Sequence, residues 1–350
     1  MSEVDAALAD SPRLDAGAAA YDAVLLLSFG GPEGPDDVRP FLENVLRGRP
    51  VPPERFAEVT GHYLHFGGVS PINAQNRALI AALEAELAAH GPRLPIYFGN
   101  RNWHPFLEDT VRRMRDDGVR RALVFVTSAF SSWSGCRQYR EDLARACGAV
   151  GAGAPVFDKL RAFYNHPGFV TACAARLAEA RDRLPATVRA EAEVLFTAHS
   201  IPLAMARHSV YVTQLTEAAR LVAEASDTPS WRLAYQSRSG SPATPWLEPD
   251  VLEVLDERAR AGTRAVIVQP IGFVSDHMEV VYDLDFEAQN VARELGMKMI
   301  RAATAGTHPA FVKMIRELIL ERIDNEPPRF LGSRGPVHDV CPADCCLLVR

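Results

Sequence analysis

The chain has 350 residues, 47% of them hydrophobic, which is more than one ordinary core needs and suits two domains. Its 44 acids against 38 bases leave a net charge of -6, so neither nucleic acid nor an anionic membrane surface is attracted in any general way. No stretch reaches the roughly 18 apolar residues of a membrane span, and stable membrane insertion is not expected.

Residues 1–20 carry Glu3, Asp5, Asp10 and Asp15 and lack the cationic start and apolar run of a secretory signal. They read as a disordered tail on a cytoplasmic protein. Beyond them, β-rich runs alternate with helical patterns. Strands are expected over 22–29, 95–99, 121–128, 193–198, 232–236, 265–274 and 297–302. Helices are expected over 71–89, 105–115, 137–147, 167–183, 211–225, 249–261 and 309–323. The alternation predicts an α/β fold with parallel sheets flanked by helices.

Two similar halves are expected, each opening with an apolar strand that ends in a small or polar turn: 27–32 (LSFGGP) and 196–200 (FTAHS). Glycines and Pro155 cluster over 148–155, which marks a join. The reading is therefore an N-terminal domain over 21–160, a C-terminal domain over 161–324 and a tail over 325–350, with a ligand cleft between the domains. The run Gly30-Gly31-Pro32-Glu33-Gly34 matches neither the phosphate-loop nor the dinucleotide spacing, and its prolines remove backbone donors. An NAD-dependent or phosphate-transferring enzyme is disfavoured on that ground.

Glu279, Asp283 and Glu287 recur every fourth residue, so on a helix their carboxylates share one face. Val281, Leu284, Ala288, Val291 and Leu295 form the apolar stripe roughly opposite, so packing does not require the acids. A solvated helix face is the plain interpretation. Position favours a cation path, because ligands of open α/β sheets bind beyond the carboxyl ends of strands, where Glu279 would follow the 265–274 strand. His199 also follows a strand; it is either a hydrogen-bonded core residue or a partner for Glu279 at the same sheet edge. An imidazole and a carboxylate are two ligands where a permanent transition-metal site uses about three or four, and an incomplete set lets a metal pass through.

Aromatic and small polar residues are spread over 63–71 and 131–139, including Tyr63, Ser70 and Tyr139. Such aromatics serve packing, or they line a pocket for a flat apolar ligand whose polar edge meets the hydroxyls. Near the C-terminus Cys341, Cys345 and Cys346 fall within six residues, which leaves unrelated free thiols or a metal site.

Six strings taken together, 27–32 (LSFGGP), 62–71 (HYLHFGGVSP), 197–202 (TAHSIP), 234–239 (AYQSRS), 245–249 (PWLEP) and 271–285 (IGFVSDHMEVVYDLD), resemble the ferrochelatase family, in order and over about residues 21–323. The pattern is most similar to the actinobacterial coproporphyrin III ferrochelatases. The resemblance implies two Rossmann-like, chelatase-type domains with a cleft between them, and insertion of Fe²⁺, as substrate, into a porphyrin for heme synthesis. Carried over by motif, His199 and Glu279 match the family's metal-site and catalytic residues, and Asp283 and Glu287 match the acids leading toward them. Ser70 and Tyr139 match porphyrin-contacting positions, with Tyr63 lining the same pocket. Phe29 stands where some bacterial members carry a tyrosine able to approach the metal. Arg47 is a candidate partner for the extra carboxylates that distinguish coproporphyrin III from protoporphyrin IX.

Some ferrochelatases hold a [2Fe-2S] cluster with C-terminal cysteines and one from the body, so the resemblance implies Cys341, Cys345 and Cys346 as ligands. Cys136 is the expected fourth, with Cys147 and Cys173 as rivals. Transient contact with neighbouring heme-pathway enzymes is a further expectation. A protoporphyrin IX ferrochelatase, a chelatase for cobalt or nickel, and a non-catalytic tetrapyrrole or metal carrier are the alternatives. A carrier needs the pocket but no proton acceptor.

Overall fold

The computed structural model describes residues 20–48, 51–240 and 243–348. Apart from Ala20, the tail expected over 1–20 lies outside the described residues. Strands β1 (Ala23–Ser28), β2 (Ile96–Asn100), β3 (Arg121–Val126) and β4 (Val156–Lys159) form one parallel sheet in the order β2-β1-β3-β4. Strands β5 (Glu193–His199), β6 (Trp231–Gln236), β7 (Ala265–Gln269) and β8 (Lys298–Arg301) repeat that order as β6-β5-β7-β8, again all parallel. The chain is thus two Rossmann-like halves of the same winding, as the alternation of elements implied.

Every residue of β1 and of β7 is buried, the pattern of strands covered by helices on both faces. The outer face of the first sheet packs Leu25, Leu27 and Val124 against the helices Leu107–Asp116 and Gln138–Val150. The outer face of the second packs Leu195, Val266 and Val268 with Leu255, Leu284 and Ala288. Their inner faces share one core, filled by the helices Ile72–His90, Pro167–Asp182, Tyr211–Ala225 and Pro309–Ile323. Within it Phe125 of β3 meets Phe163 and Phe311 at centroid distances of 5.3 and 6.2 Å, and Phe169 meets Phe311 at 6.3 Å. Full burial of each such ring contributes about 1.5–3 kcal/mol, so this knot fastens the two sheets together.

Two local expectations are corrected. The 265–274 run is strand only to Gln269, because Pro270 has no N–H to continue the ladder. Residues 270–274 instead tuck beneath β5, where the Gly272 N–H donates to the Thr197 carbonyl at 3.0 Å. Two helices, Pro35–Val45 and Pro53–His65, precede the first one expected. Each starts with proline in its first turn, where the missing N–H costs nothing, followed by acids that suit the helix dipole. The glycines at 148–153 lead into the short edge strand β4, which keeps the chain in the first sheet to Lys159.

The segment after Ile323 returns along the body. Arg161 pairs with Glu321 at 2.7 Å and donates to the Arg329 carbonyl at 2.8 Å. The Asn165 side chain donates to the Gly335 carbonyl at 2.8 Å.

Candidate active site

In a sheet wound as β6-β5-β7-β8 the connections from β5 and β7 leave in opposite directions, opening a crevice beyond their carboxyl ends. His199 is the last residue of β5, and Glu279 follows the 270–277 loop that leaves β7. The two side chains meet: His199 Nε2 lies 3.3 Å from Glu279 Oε1. His199 Nδ1 is bonded to the Ser200 carbonyl, which places a proton on that nitrogen and turns Nε2 toward the acid. The Tyr211 hydroxyl donates to the His199 carbonyl at 3.0 Å, fixing the strand end.

Glu279 is held on its own side by two residues. Gln236, at the end of β6, donates its side-chain N–H to the Glu279 carbonyl at 2.6 Å. His277 caps the helix start, its Nδ1 accepting the Glu279 N–H at 3.3 Å and standing 3.5 Å from Oε2. The helix then runs as a short α-turn, Met278–Val280, a π-helical segment, Val281–Ala288, and a final α-segment, Gln289–Glu294. The wider i→i+5 turn keeps residues four apart closer to one line than an α-helix would. Asp283 accepts a hydrogen bond from the Ser237 hydroxyl.

The electrostatics separate the acids. Burial alone would lower the His199 pKa, but the Glu279 charge and hydrogen bond, the Ser200 carbonyl and Asp283 outweigh it and raise it to about 9. Burial pushes Glu279 up, and the charges of His199 and His277 bring it down to about 2. Asp283 goes the other way, to about 7, through burial and the like charges of Glu279 and Glu287 against the Ser237 hydrogen bond. Glu287 is raised by burial and by Asp250 and Glu58. The His199 and Glu279 side chains keep 30% and 46% of their exposure because the cleft is open on one side while protein surrounds them on the others.

The N-terminal half supplies the opposite wall. Tyr63, on the helix Pro53–His65, feels the charges of Glu279 and Asp283, which with burial push its phenol well above the ordinary range. It packs at 5.6 Å on Phe41, which also meets Phe29 at 6.2 Å, just past β1. His62 stacks on Tyr282 at 3.7 Å and His65 meets Phe286 at 4.4 Å, so this helix closes over the π-helical segment. Ser70 is 3% exposed and packs on Gly31 in the loop after β1. Tyr139 is 5% exposed, with the Arg101 guanidinium 4.6 Å over its ring and 5.8 Å from the Phe29 ring. Ser70 and Tyr139 thus belong to the N-terminal wall rather than to the His199–Glu279 pair. Arg47 is exposed and bonded to Asn44 at the end of its helix.

A second cluster lies at the tail. Cys136, buried in the π-turn Trp133–Arg137, shares a sulfur hydrogen bond with Cys341. Cys345 Sγ lies 3.6 Å from Cys346 Sγ and 3.8 Å from His338 Nε2. Arg137 donates to the carbonyls of Ala343 at 2.5 Å and Cys345 at 3.3 Å. Cys173 is buried in the shared core and Cys147 faces the Pro155 carbonyl, both away from this group.

The class of fold is that of the chelatases. The sirohydrochlorin chelatase SirB of Bacillus subtilis subspecies spizizenii, in complex with cobalt, aligns with a TM-score of 0.53 at 13% identity, covering 87% of this chain and 97% of its own. SirB from Bacillus subtilis with Fe³⁺ aligns with a TM-score of 0.55 at 14% identity and the same coverage. The ferrochelatase family model matches residues 21–323. The chain is 57% identical to the ferrochelatase of Rhodopirellula baltica over 330 residues, 93% of each chain. It is 53% identical to the coproporphyrin III ferrochelatase of Streptomyces coelicolor, over 94% of each, and 54% identical to that of Mycolicibacterium smegmatis, over 91% of this chain and 94% of that one. This protein belongs to the ferrochelatase family.

Sequence reasoning passed over His277, Gln236, Ser237, Tyr211 and Arg101. Gln236 and Ser237 end a predicted strand at the same sheet edge as His199, a positional signal that was available. His277 stands two residues before Glu279 at a helix start, but capping by a histidine side chain lies outside the usual Ser, Thr, Asp and Asn preference.

Proposed function

We propose that this chain inserts Fe²⁺ into coproporphyrin III, with His199 and Glu279 as the catalytic pair and iron as substrate. The observation that carries the reading is their 3.3 Å approach beyond the carboxyl ends of β5 and β7, with Asp283 and Glu287 leading outward. Metallation removes two pyrrole N–H protons and strips water from the dication. Glu279, anionic throughout the neutral range, offers an exchangeable oxygen to Fe²⁺. His199 is the proton acceptor, strengthened in that role by the carboxylate beside it. Asp283, titrating near neutrality four residues on, and Glu287 beyond it line the route by which Fe²⁺ reaches the pair.

The aromatic wall of Phe29 and Tyr63, with Ser70 and Tyr139 behind it, is the face offered to the porphyrin, and Arg47 the candidate for an outlying carboxylate. The coproporphyrin III names of the relatives favour that substrate over protoporphyrin IX. Turnover measured on the two porphyrins tests the choice: faster metallation of coproporphyrin III is expected, and a preference for protoporphyrin IX would reverse it. Boundaries near residues 160 and 324 belong to the same reading, supported by the two separate sheets and the returning tail.

The tail thiols Cys341, Cys345 and Cys346, with Cys136, form the ligand pool for a [2Fe-2S] cluster. The donor chemistry fits, since thiolates suit iron-sulfur ligation and these four converge while Cys147 and Cys173 do not. Thiols left unpaired are in keeping with a reducing, cytoplasmic setting. Among the described residues no helix is long and apolar enough to cross a membrane. Handing on a reactive tetrapyrrole favours transient contact with neighbouring heme-pathway enzymes. Protein isolated without oxygen should show visible absorption and contain iron and sulfide; a colourless sample lacking both counts against the cluster.

A further inference from the structure

The tail cluster holds more donors than a four-coordinate centre uses. Besides the four thiols, His338 brings its Nε2 to 3.8 Å from Cys345 Sγ, and the donor atoms of His338, Cys341 and Cys345 all lie within 4.8 Å of one another. Donors on one tetrahedral ion with metal–sulfur bonds of about 2.3 Å and metal–nitrogen bonds of about 2.0 Å stand roughly 3.5–3.8 Å apart. The His338–Cys345 edge therefore already has the length that shared ligation requires.

We propose that His338 is a metal ligand of this centre, giving it a mixed donor set with Cys136, Cys341 and Cys345. This rests on the metal-binding reading of the tail given above and refines it: His338 takes the position otherwise assigned to Cys346. Two anchors hold the segment in place. Gly335, three residues before His338, is fixed by the Asn165 side chain, and Ala343 and Cys345 are fixed through their carbonyls by Arg137. Arg137 directly follows Cys136, so the π-turn that presents the body's thiol also positions the tail's. Cys136 and Cys346 both stand outside the close triangle of donors, but Cys136 bonds to Cys341 from the body of the protein, whereas Cys346 approaches only its neighbour Cys345, at 3.6 Å, and holds a left-handed backbone at φ +54°, which is strained for a residue with a Cβ. The triangle closes around His338 without it. Ligation by three thiols releases their protons, and a histidine nitrogen softens the charge that a fourth thiolate would add.

Cobalt(II) titration of the full, reduced, metal-free chain tests the donor set independently of any cluster. Thiolate-to-cobalt charge-transfer absorption reports the tail alone, since the His199–Glu279 pair offers only nitrogen and oxygen. The expected result is that the wild-type chain develops these bands and that His338→Ala weakens cobalt binding at least tenfold. His338→Cys should restore tight binding with stronger charge-transfer absorption, and Cys346→Ser should bind like wild type. The proposal is overturned if His338→Ala keeps the wild-type affinity and spectrum, if Cys346→Ser loses binding while His338→Ala does not, or if the wild-type chain gives no thiolate bands. Iron and acid-labile sulfide in anaerobically isolated protein answer the cluster question separately, and their absence would leave the cobalt result standing.

Discussion

His277 holds Glu279 twice: its Nδ1 accepts the Glu279 backbone N–H at 3.3 Å and stands 3.5 Å from that residue's carboxylate. The first contact needs an unprotonated Nδ1, and burial lowers the His277 pKa in that sense, ahead of the opposing pull of Glu279. The ring is therefore a cap that also sets where the carboxylate points. His277→Ala should cost about 0.5–2 kcal/mol of stability, the usual cost of losing an N-cap. It should also lower the metallation rate roughly tenfold or more, because small misplacements of a reacting group are expensive. His277→Asn, whose side-chain oxygen caps equally well, should recover the melting temperature but not the rate. Recovery of both would show that capping alone matters.

The His199–Glu279 pair fixes the pH dependence. Only neutral His199 accepts a proton, and its pKa of about 9 means that the neutral fraction grows as pH rises, so kcat/KM should climb from pH 7 toward 9. Glu279→Gln removes the largest of the influences that offset burial, so the His199 pKa falls from about 9 and the rising limb moves to lower pH. The same linkage governs stability. Folded His199 binds its proton more tightly than the unfolded chain does, so its contribution is present below pH 6.5 and is lost as pH rises through about 9. A limb that stays in place in Glu279→Gln would remove His199 as the titrating group.

Much of this geometry was legible in the sequence, for physical reasons. Buried parallel strands are written as continuous apolar runs, so β1, β3, β5 and β7 were visible, and strand ends are where α/β sheets place ligands, which singled out His199 and Glu279. The helices Pro35–Val45 and Pro53–His65 were hidden by their prolines, which resemble loop punctuation although they sit in first turns. The π-helical segment was invisible as well, because acids every fourth residue suit an α-turn and a π-turn alike. The split of the two acids, Glu279 pushed down and Asp283 pushed up, was hidden too, because it depends on His199 and on burial brought from elsewhere in the chain.

Gly272 positions the catalytic strand by having no side chain. A Cβ there would lie 2.6 Å from the Ala198 Cβ and 2.7 Å from its Cα, so the backbone itself blocks it. Gly272→Ala should destabilise the fold by about 1–3 kcal/mol, the range for overpacking a tight core. Because Ala198 directly precedes His199, kcat should fall while the far half of the molecule keeps its hydrogen-exchange protection. Wild-type kcat in this variant would mean that the end of β5 tolerates displacement.

Asp283 trades stability for function. Its folded pKa of about 7 stands above the ordinary 3.8, so ionisation penalises the folded state increasingly as pH rises between those values. Asp283→Asn removes the like charge beside Glu279 and Glu287 while keeping an acceptor for the Ser237 hydroxyl. Its melting temperature should exceed wild type at pH 8 by a few degrees, given about 2–4 °C per kcal/mol for domains of this size. The gain should shrink toward pH 5, where wild-type Asp283 is itself protonated. Loss of a carboxylate on the proposed route should meanwhile raise the KM for Fe²⁺ several-fold. A gain of equal size at both pH values would attribute the effect to packing, and an unchanged KM would take Asp283 off the iron path.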